Sequence, residues 1–240
     1  MNILDATRRL AADLDALTFA PPVAYVYNPL NYAGDVHADY LCRYAAGRKR
    51  VIFLGMNPGP FGMAQTGVPF GEINAVQNFL GIFGLVGHPP REHPRKPVEG
   101  FGCRRSEVSG RRLWGLFAKK FGTAGAFFAE NYVHNYCPLL FIEDTPLGKN
   151  LALAQLSAAE IARLGGLCDA FLRALVDEMR PEVLVGVGAF AKGRAEEALA
   201  GSGVRVCQIP HPSPANPAAN RDWDGAALAA LDAAGVEIFH

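Results

Sequence analysis

Three short apolar runs in this chain end abruptly in loops built from residues that regular structure avoids, and this pattern restricts the fold more than any other feature. Val51-Ile52-Phe53-Leu54 stops at Gly55-Met56-Asn57-Pro58-Gly59-Pro60-Phe61-Gly62. Tyr132-Val133-His134-Asn135-Tyr136 breaks at Pro138, and the run from Val204 to Ile209 meets Pro210-His211-Pro212-Ser213-Pro214. Runs of this length, rich in Val, Ile and aromatic residues, read as buried strands, and the Gly/Pro clusters as tight loops. Val183-Leu184-Val185-Gly186-Val187 is another such strand.

Helical patterns separate these strands. Ser157-Ala158-Ala159-Glu160 is a capping box that opens a helix running to about Arg180, where Pro181 stops it. Further helices are expected near Ile73 (with Val76, Leu80 and Phe83), from Arg112 to Phe121, from Ala191 to Leu199 and near Ala226 to Ala233. Leu10, Leu14 and Leu17 mark an amphipathic N-terminal helix that Pro21 and Pro22 end. The Tyr/Asn-rich segment from Tyr25 to Tyr32 carries no clear pattern, and Val236 to Phe239 reads as an edge strand. Strands alternating with helices predict an α/β fold, a three-layer α/β/α sandwich with a central, mostly parallel sheet. With no repeat or low-complexity tract, residues 1–240 are expected to form a single domain. Ligands of such sheets bind at the carboxyl ends of the strands, where the Asn57 loop, the His134-Asn135 segment and the His211 loop would converge.

Composition narrows the function classes. The formal net charge is zero, so nucleic acid is not bound by bulk charge. Positive charge is concentrated instead in Arg91, Arg95, Lys96, Arg104, Arg105, Arg111 and Arg112, against Glu92, Glu99 and Glu107. This stretch is either a solvated loop or a phosphate-contacting rim. The five cysteines are scattered without a CxxC pair, which points to reduced thiols and gives no support for a zinc site or a disulfide framework. No secretory signal or membrane-length apolar run is visible, so a cytoplasmic protein of bacterial type, without membrane association, is expected.

The loops hold the candidate chemistry. The Asn57 amide can orient a water but is a poor base, and Pro58 and Pro60 stiffen its loop. His211, held between prolines, can donate to a developing anion. Asn135 lies among apolar neighbours, where its amide must find partners or read a bound base. Phe70, in Gly67-Val68-Pro69-Phe70-Gly71, is either core or a stacking platform. Each segment alone also describes an ordinary structural turn or strand.

Taken together they do more. GMNPGPFGMAQTGVPFGE (residues 55–72) resembles the first active-site motif of the single-strand-selective monofunctional uracil-DNA glycosylases. HPSPANPAANRDW (211–223) is similar to that family's second motif and VHNYCPLL (133–140) to its base-recognition strand. SEVSGRRLWG (106–115) and VGVG (185–188) also resemble family segments. The resemblance implies the family's α/β/α sandwich and a set of roles. Asn57 would position the attacking water, and His211 would hydrogen-bond the uracil oxygen. Asn135 would pair with the polar edge of the base and Phe70 would stack on it. Backbone amides around Met56 and Phe61 would hold other polar atoms, and Gly59 would leave room at the base 5-position. Pro212, Ser213, Pro214, Ala215, Asn216 and Asn220 would belong to a loop that enters the duplex. Arg104, Arg105, Arg111 and Arg112 would contact phosphates. Many relatives carry a basic residue where this chain has Ala215, which bears on strand preference and not on the chemistry.

The function so implied is removal of uracil, or of 5-substituted uracils such as 5-hydroxymethyluracil, from single- and double-stranded DNA, leaving an abasic site. No metal or cofactor and no obligate protein partner is implied, and a monomer is expected. No lysine in the motifs offers a Schiff-base amine, which favours a monofunctional enzyme. Alternatives are a glycosylase of the same fold that prefers xanthine or hypoxanthine, a non-catalytic DNA-binding module, and a small-molecule hydrolase. The hydrolase ranks last for want of a GxSxG elbow.

Overall fold

The computed structural model describes residues 2–217 and 219–238. Four parallel strands form its central sheet: β2 (Val51–Gly55), β3 (Asn131–Asn135), β6 (Val183–Val187) and β7 (Arg205–Ile209), in the spatial order β3-β2-β6-β7. β2 and β6 lie in the middle and are buried along their whole length, which is why they read as unbroken apolar runs and not as alternating ones. A second, antiparallel sheet joins β1 (Val23–Tyr27), β4 (Leu140–Glu143) and β5 (Asn150–Leu151) in the order β1-β4-β5. The α/β fold with a central parallel sheet is the one predicted.

Helices connect the strands. α1 (Ile3–Asp15) is capped by Asn2, whose side chain accepts from the Leu4 amide at 3.0 Å. It buries Leu10 and Leu14 and stops short of the expected proline pair. α2 (Pro29–Tyr32) and α3 (Gly34–Tyr44) follow β1, and α4 (Met63–Thr66) is a single turn inside the loop after β2. α5 (Val108–Phe121) buries Leu113, Trp114, Leu116 and Phe117, and α6 (Ala124–Phe128) adds Phe127. Phe117 stacks on Phe127 with centroids 4.3 Å apart, and Trp114 meets Phe127 edge-on at 5.9 Å. This aromatic cluster packs against Phe53 of β2. α7 (Ala158–Met179) opens on the predicted capping box, with Ser157 Oγ accepting from the Glu160 amide and Glu160 accepting from the Ser157 amide. It ends at Arg180, which takes a left-handed backbone (φ 48°) just before Pro181. α8 (Ala189–Ala198) bridges β6 and β7, and α9 (Ala219–Ala233) closes the chain with a break in its helical backbone at Asp222.

Three expectations change. The helix near Ile73 is only a π-helical turn, Ala75–Phe79, which ends where Gly81 takes a positive φ of 65°. Phe83 beyond it is exposed. Val236 to Ile238 forms no strand, and Phe239 lies outside the described residues. The unassigned Tyr/Asn segment supplies β1 and α2. No helix among the described residues is long and apolar enough to cross a membrane.

Two buried histidines make the fold sensitive to acid. His37 is buried on α3 with Nδ1 2.7 Å from the Gly67 carbonyl oxygen, and burial pulls its pKa down to about 4. His134 of β3 stacks on Phe171, and burial, with the nearby His37, pulls its pKa down to about 3. The unfolded chain takes up these protons near pH 6.5 and the folded chain resists them, so stability is full above pH 6.5 and is lost below it. His37 alone should remove about 3 kcal/mol between pH 6.5 and pH 4. Urea unfolding at pH 7 and pH 5 checks this. Equal free energies at the two values would contradict it.

Candidate active site

Pairing between β2 and β3 builds the site. Gly55 lies opposite Asn135 in the ladder, and the pairing continues past both strand ends, with the Tyr136 amide donating to the Gly55 carbonyl and the Cys137 amide to the Met56 carbonyl, each at 2.9 Å. Asn57 and Asn135 are thereby held side by side at the carboxyl edge of the sheet. His211 reaches the same edge two residues beyond the end of β7. Together these segments surround a cavity of about 450 Å³ lined by Met56, Asn57, Pro58, Gly59, Met63, Phe70, Asn135 and His211, with Ser213 and Ala215 of the following loop.

Each polar group in the cavity is oriented. Asn57 donates from Nδ2 to the Leu139 carbonyl at 3.3 Å. That bond turns the amide so that Oδ1, an acceptor, is left for a water. Asn135 is almost fully buried, and its Nδ2 sits 3.3 Å from the Met63 sulfur. Sulfur is a weak acceptor, so the amide is suited to a stronger partner. Gly55 is required here. A Cβ on it would collide with both Asn135 Oδ1 and the Phe70 ring.

Phe70 holds a left-handed backbone (φ 52°), a conformation costing a bulky residue about 1–2 kcal/mol. The Trp114 indole donates to its carbonyl at 3.1 Å, and the Glu72 amide donates to the same oxygen at 2.7 Å. Gly110 allows α5 to approach that carbonyl, which any side chain there would strike. The strain is fixed by the helix that carries Trp114, and the ring is set 6.4 Å from the His211 ring, tilted by 41°.

His211 is partly buried, and burial holds its pKa below the usual histidine range. The Ser213 amide donates to Nδ1 at 3.1 Å. Nδ1 is thus an acceptor, and the neutral ring carries its hydrogen on Nε2, where it can be donated. The loop around it is tied at successive carbonyls. Trp223 Nε1 donates to the Pro210 oxygen (2.8 Å), Asn216 Nδ2 to the His211 oxygen (3.2 Å) and Arg112 Nη1 to the Pro212 oxygen (2.6 Å). Asn220 Nδ2 donates to the Pro214 oxygen at 2.9 Å.

The sequence pattern of the Uracil DNA glycosylase superfamily matches residues 43–231. Single-strand selective monofunctional uracil-DNA glycosylases of rat, mouse and cattle are 49%, 48% and 47% identical to the chain over 98% of its length, covering 84%, 84% and 86% of their own. The chain belongs to this family of glycosylases. The crystal structure of wild-type SMUG2 from Pedobacter heparinus superposes with a TM-score of 0.70 over 99% of this chain and 100% of that one, at 20% identity, a likeness of fold. These three relatives are mammalian and lend no support to the bacterial-type setting expected above.

In this glycosylase-family chain the predicted residues divide into those that face the cavity and those that do not. Phe61 has its ring outside, under the guanidinium of Arg105 at 3.9 Å and the ammonium of Lys96 at 5.0 Å. His134 is turned to the opposite face of β3, as strand alternation requires. Arg104 and Arg105 are exposed and have no acidic partner among the described residues. Arg111 lies along a separate groove with Glu72, Phe79 and Trp114. Arg112 is already engaged, holding the Pro212 carbonyl and, at 3.1 Å, Asn220 Oδ1. It is an internal brace of the loop.

Sequence reasoning missed part of the wall. Met63, Glu107 and Ser109 line the cavity, as do Asn150, Leu151, Ala152 and Gln155 around β5. The last four arrive through the pairing of β4 with β5 and carry no local motif. Gly55→Ala should lower unfolding free energy by about 1–3 kcal/mol through overpacking and displace both Asn135 and Phe70. Thermal unfolding together with substrate affinity checks this, and unchanged affinity would refute the displacement.

Proposed function

We propose that this chain is a monofunctional DNA glycosylase that hydrolyses the N-glycosidic bond of uracil, and of 5-substituted uracils such as 5-hydroxymethyluracil, in single- and double-stranded DNA. It acts as one domain and as a monomer, and needs no cofactor, metal or protein partner. The observation that carries the reading is the cavity itself: a buried amide reader (Asn135), an aromatic wall (Phe70), a water-orienting amide (Asn57) and an Nε2–H donor (His211) face one space.

The chemistry follows from those groups. An enzyme acting on a base inside DNA must take it out of the stack, at a cost of a few kcal/mol. Phe70 stacks on the flipped base and Asn135 pairs with its polar edge. Gly59, without a side chain, leaves room at the 5-position. As the C1′–N1 bond breaks, its electron pair stays with the base. The sugar becomes cationic and the base anionic. His211 donates to the base oxygen, and the water on Asn57 adds to C1′. Water supplies a hydroxyl to the sugar and a proton to the base, leaving an abasic site. A weak nucleophile suffices once the sugar is cationic. Among the described residues no lysine lines the cavity, so none of them places an amine there to form a Schiff base and cut the strand.

The braced His211 loop, with Pro212, Ser213, Pro214, Ala215 and Asn216, is rigid enough to enter the space the base leaves, and prior rigidity lowers the ordering cost of binding. Arg104 and Arg105 contact phosphates, with Arg111 further along α5.

His211→Ala should lower the single-turnover rate on a uracil oligonucleotide by about 10²–10³-fold, and Asn57→Ala by a similar amount, with the fold intact. Strand cleavage should appear only after alkali. Near-normal turnover in either variant would remove that residue from the mechanism, and no product from any uracil substrate would leave a binding module or a purine-specific glycosylase. Neutralising Arg104 and Arg105 together should reduce the slope of log binding constant against log salt on duplex by about 2. Arg112→Ala should weaken duplex binding while leaving that slope nearly as it was. If both sets changed the slope equally, the division between rim and brace would be wrong.

A further inference from the structure

Glu107, the residue that caps the start of α5, is a cavity wall whose chemistry the reading above does not use. Its carboxyl group lies against the Asn57 loop. A Cβ at Gly59 would strike Oε1, and one at Gly62 would strike Oε2. Oε2 is buried and has no hydrogen-bond partner, and no cation pairs with the group among the described residues.

The charged and titratable groups around it offer an ionised carboxylate nothing. From the segment after α4 comes Glu72, another acid, which accepts from Ser106 Oγ at 2.8 Å and from the Ala75 amide at 2.9 Å. On α5 itself, Arg112 is directed to Pro212 and Asn220, while Arg111 lines the groove beside Trp114. From the loop after β7 comes His211, neutral and already bonded through Nδ1. β3 contributes Asn135, an amide. Burial first, and the charge of Glu72 second, raise the Glu107 pKa to about 7, against a smaller opposing pull from the Gly110 amide.

We propose that Glu107 works as a neutral carboxylic acid in the wall of the base cavity, so that the leaving base develops its negative charge in a pocket free of fixed anions. The inference rests on the glycosylase reading, because it requires a base that departs as an anion. A carboxylate in the same cavity would oppose that charge directly. At an effective dielectric of about 20, the repulsion between two charges within one cavity of this size slows bond breaking by about tenfold or more. Losing the Glu107 proton therefore switches the cavity from permissive to repulsive without moving Asn57 or His211.

The test is the pH dependence of single-turnover uracil release between pH 5.5 and 8.5, for the native chain and for Glu107→Gln. The glutamine keeps the shape and removes the ionisation. The native rate should fall as pH rises through the neutral range, by about tenfold at pH 8.5. The variant should lack that fall, whatever its absolute rate. A native profile flat to pH 8.5, or an equal fall in both proteins, would overturn the proposal. A second readout needs neither turnover nor a folded variant: the carboxyl carbon of Glu107, followed by NMR in the native chain, should titrate well above the ordinary glutamate range. Titration near pH 4.5 would overturn the proposal by itself. Absence of uracil release at every pH, with that high titration intact, would instead overturn the glycosylase reading and leave Glu107 as a protonated wall group.

Discussion

The pairing of Gly55 with Asn135 across the two neighbouring strands is the contact on which the site depends. It sets the end of one strand beside the end of the other, so that the Asn57 and Asn135 amides share one edge of the sheet. It works only because residue 55 has no side chain, since the Asn135 amide and the Phe70 ring fill the space a Cβ would need. The backbone bonds from Tyr136 and Cys137 carry the same register into the loops, so the loops inherit the rigidity of the sheet.

A second layer of support holds the side chains in place. Trp114 and Gly110, both on α5, hold Phe70 in a backbone conformation it would not adopt alone. Arg112, two residues beyond Gly110 on that helix, braces the His211 loop. Glu107 at the helix start touches the Asn57 loop. One helix thus contacts the Asn57 loop, the Phe70 segment and the His211 loop. The aromatic cluster of Trp114, Phe117 and Phe127 anchors that helix in the core. Core packing and site geometry are coupled through it.

Burial also acts on the charges of the cavity wall. Burial disfavours the imidazolium form of His211 and the carboxylate form of Glu107, one effect acting on groups of opposite charge type. Positive charge is left outside, where Arg105 and Lys96 lie over the Phe61 ring and Arg104 is exposed. A chain with no net charge in this way keeps exposed arginines outside a cavity in which burial disfavours charge.

Much of this was legible in the sequence, for stated reasons. The central strands were readable because burial on both faces forces continuous apolar runs, and the capping box of the long helix because Ser and Glu three residues apart satisfy each other's backbone amides. The site loops were visible through their unusual Gly, Pro, Asn and His content. The antiparallel sheet was not, since its strands are short and find their partners across the chain, as Asn150 and Leu151 do with Ile142 and Phe141. The expected helix near Ile73 shrank to a π-helical turn because an apolar spacing does not reveal that the glycine at 81 takes a left-handed backbone. Arg112 looked like any other member of a basic stretch, and Glu107 like its counter-charge. The sequence determined the central strands, the loop chemistry and the family, because these depend on residue type and local order. Only the tertiary structure decided which arginine is a brace and which acid turns an unpartnered oxygen into the interior, because burial and pairing are relations between segments far apart in the chain.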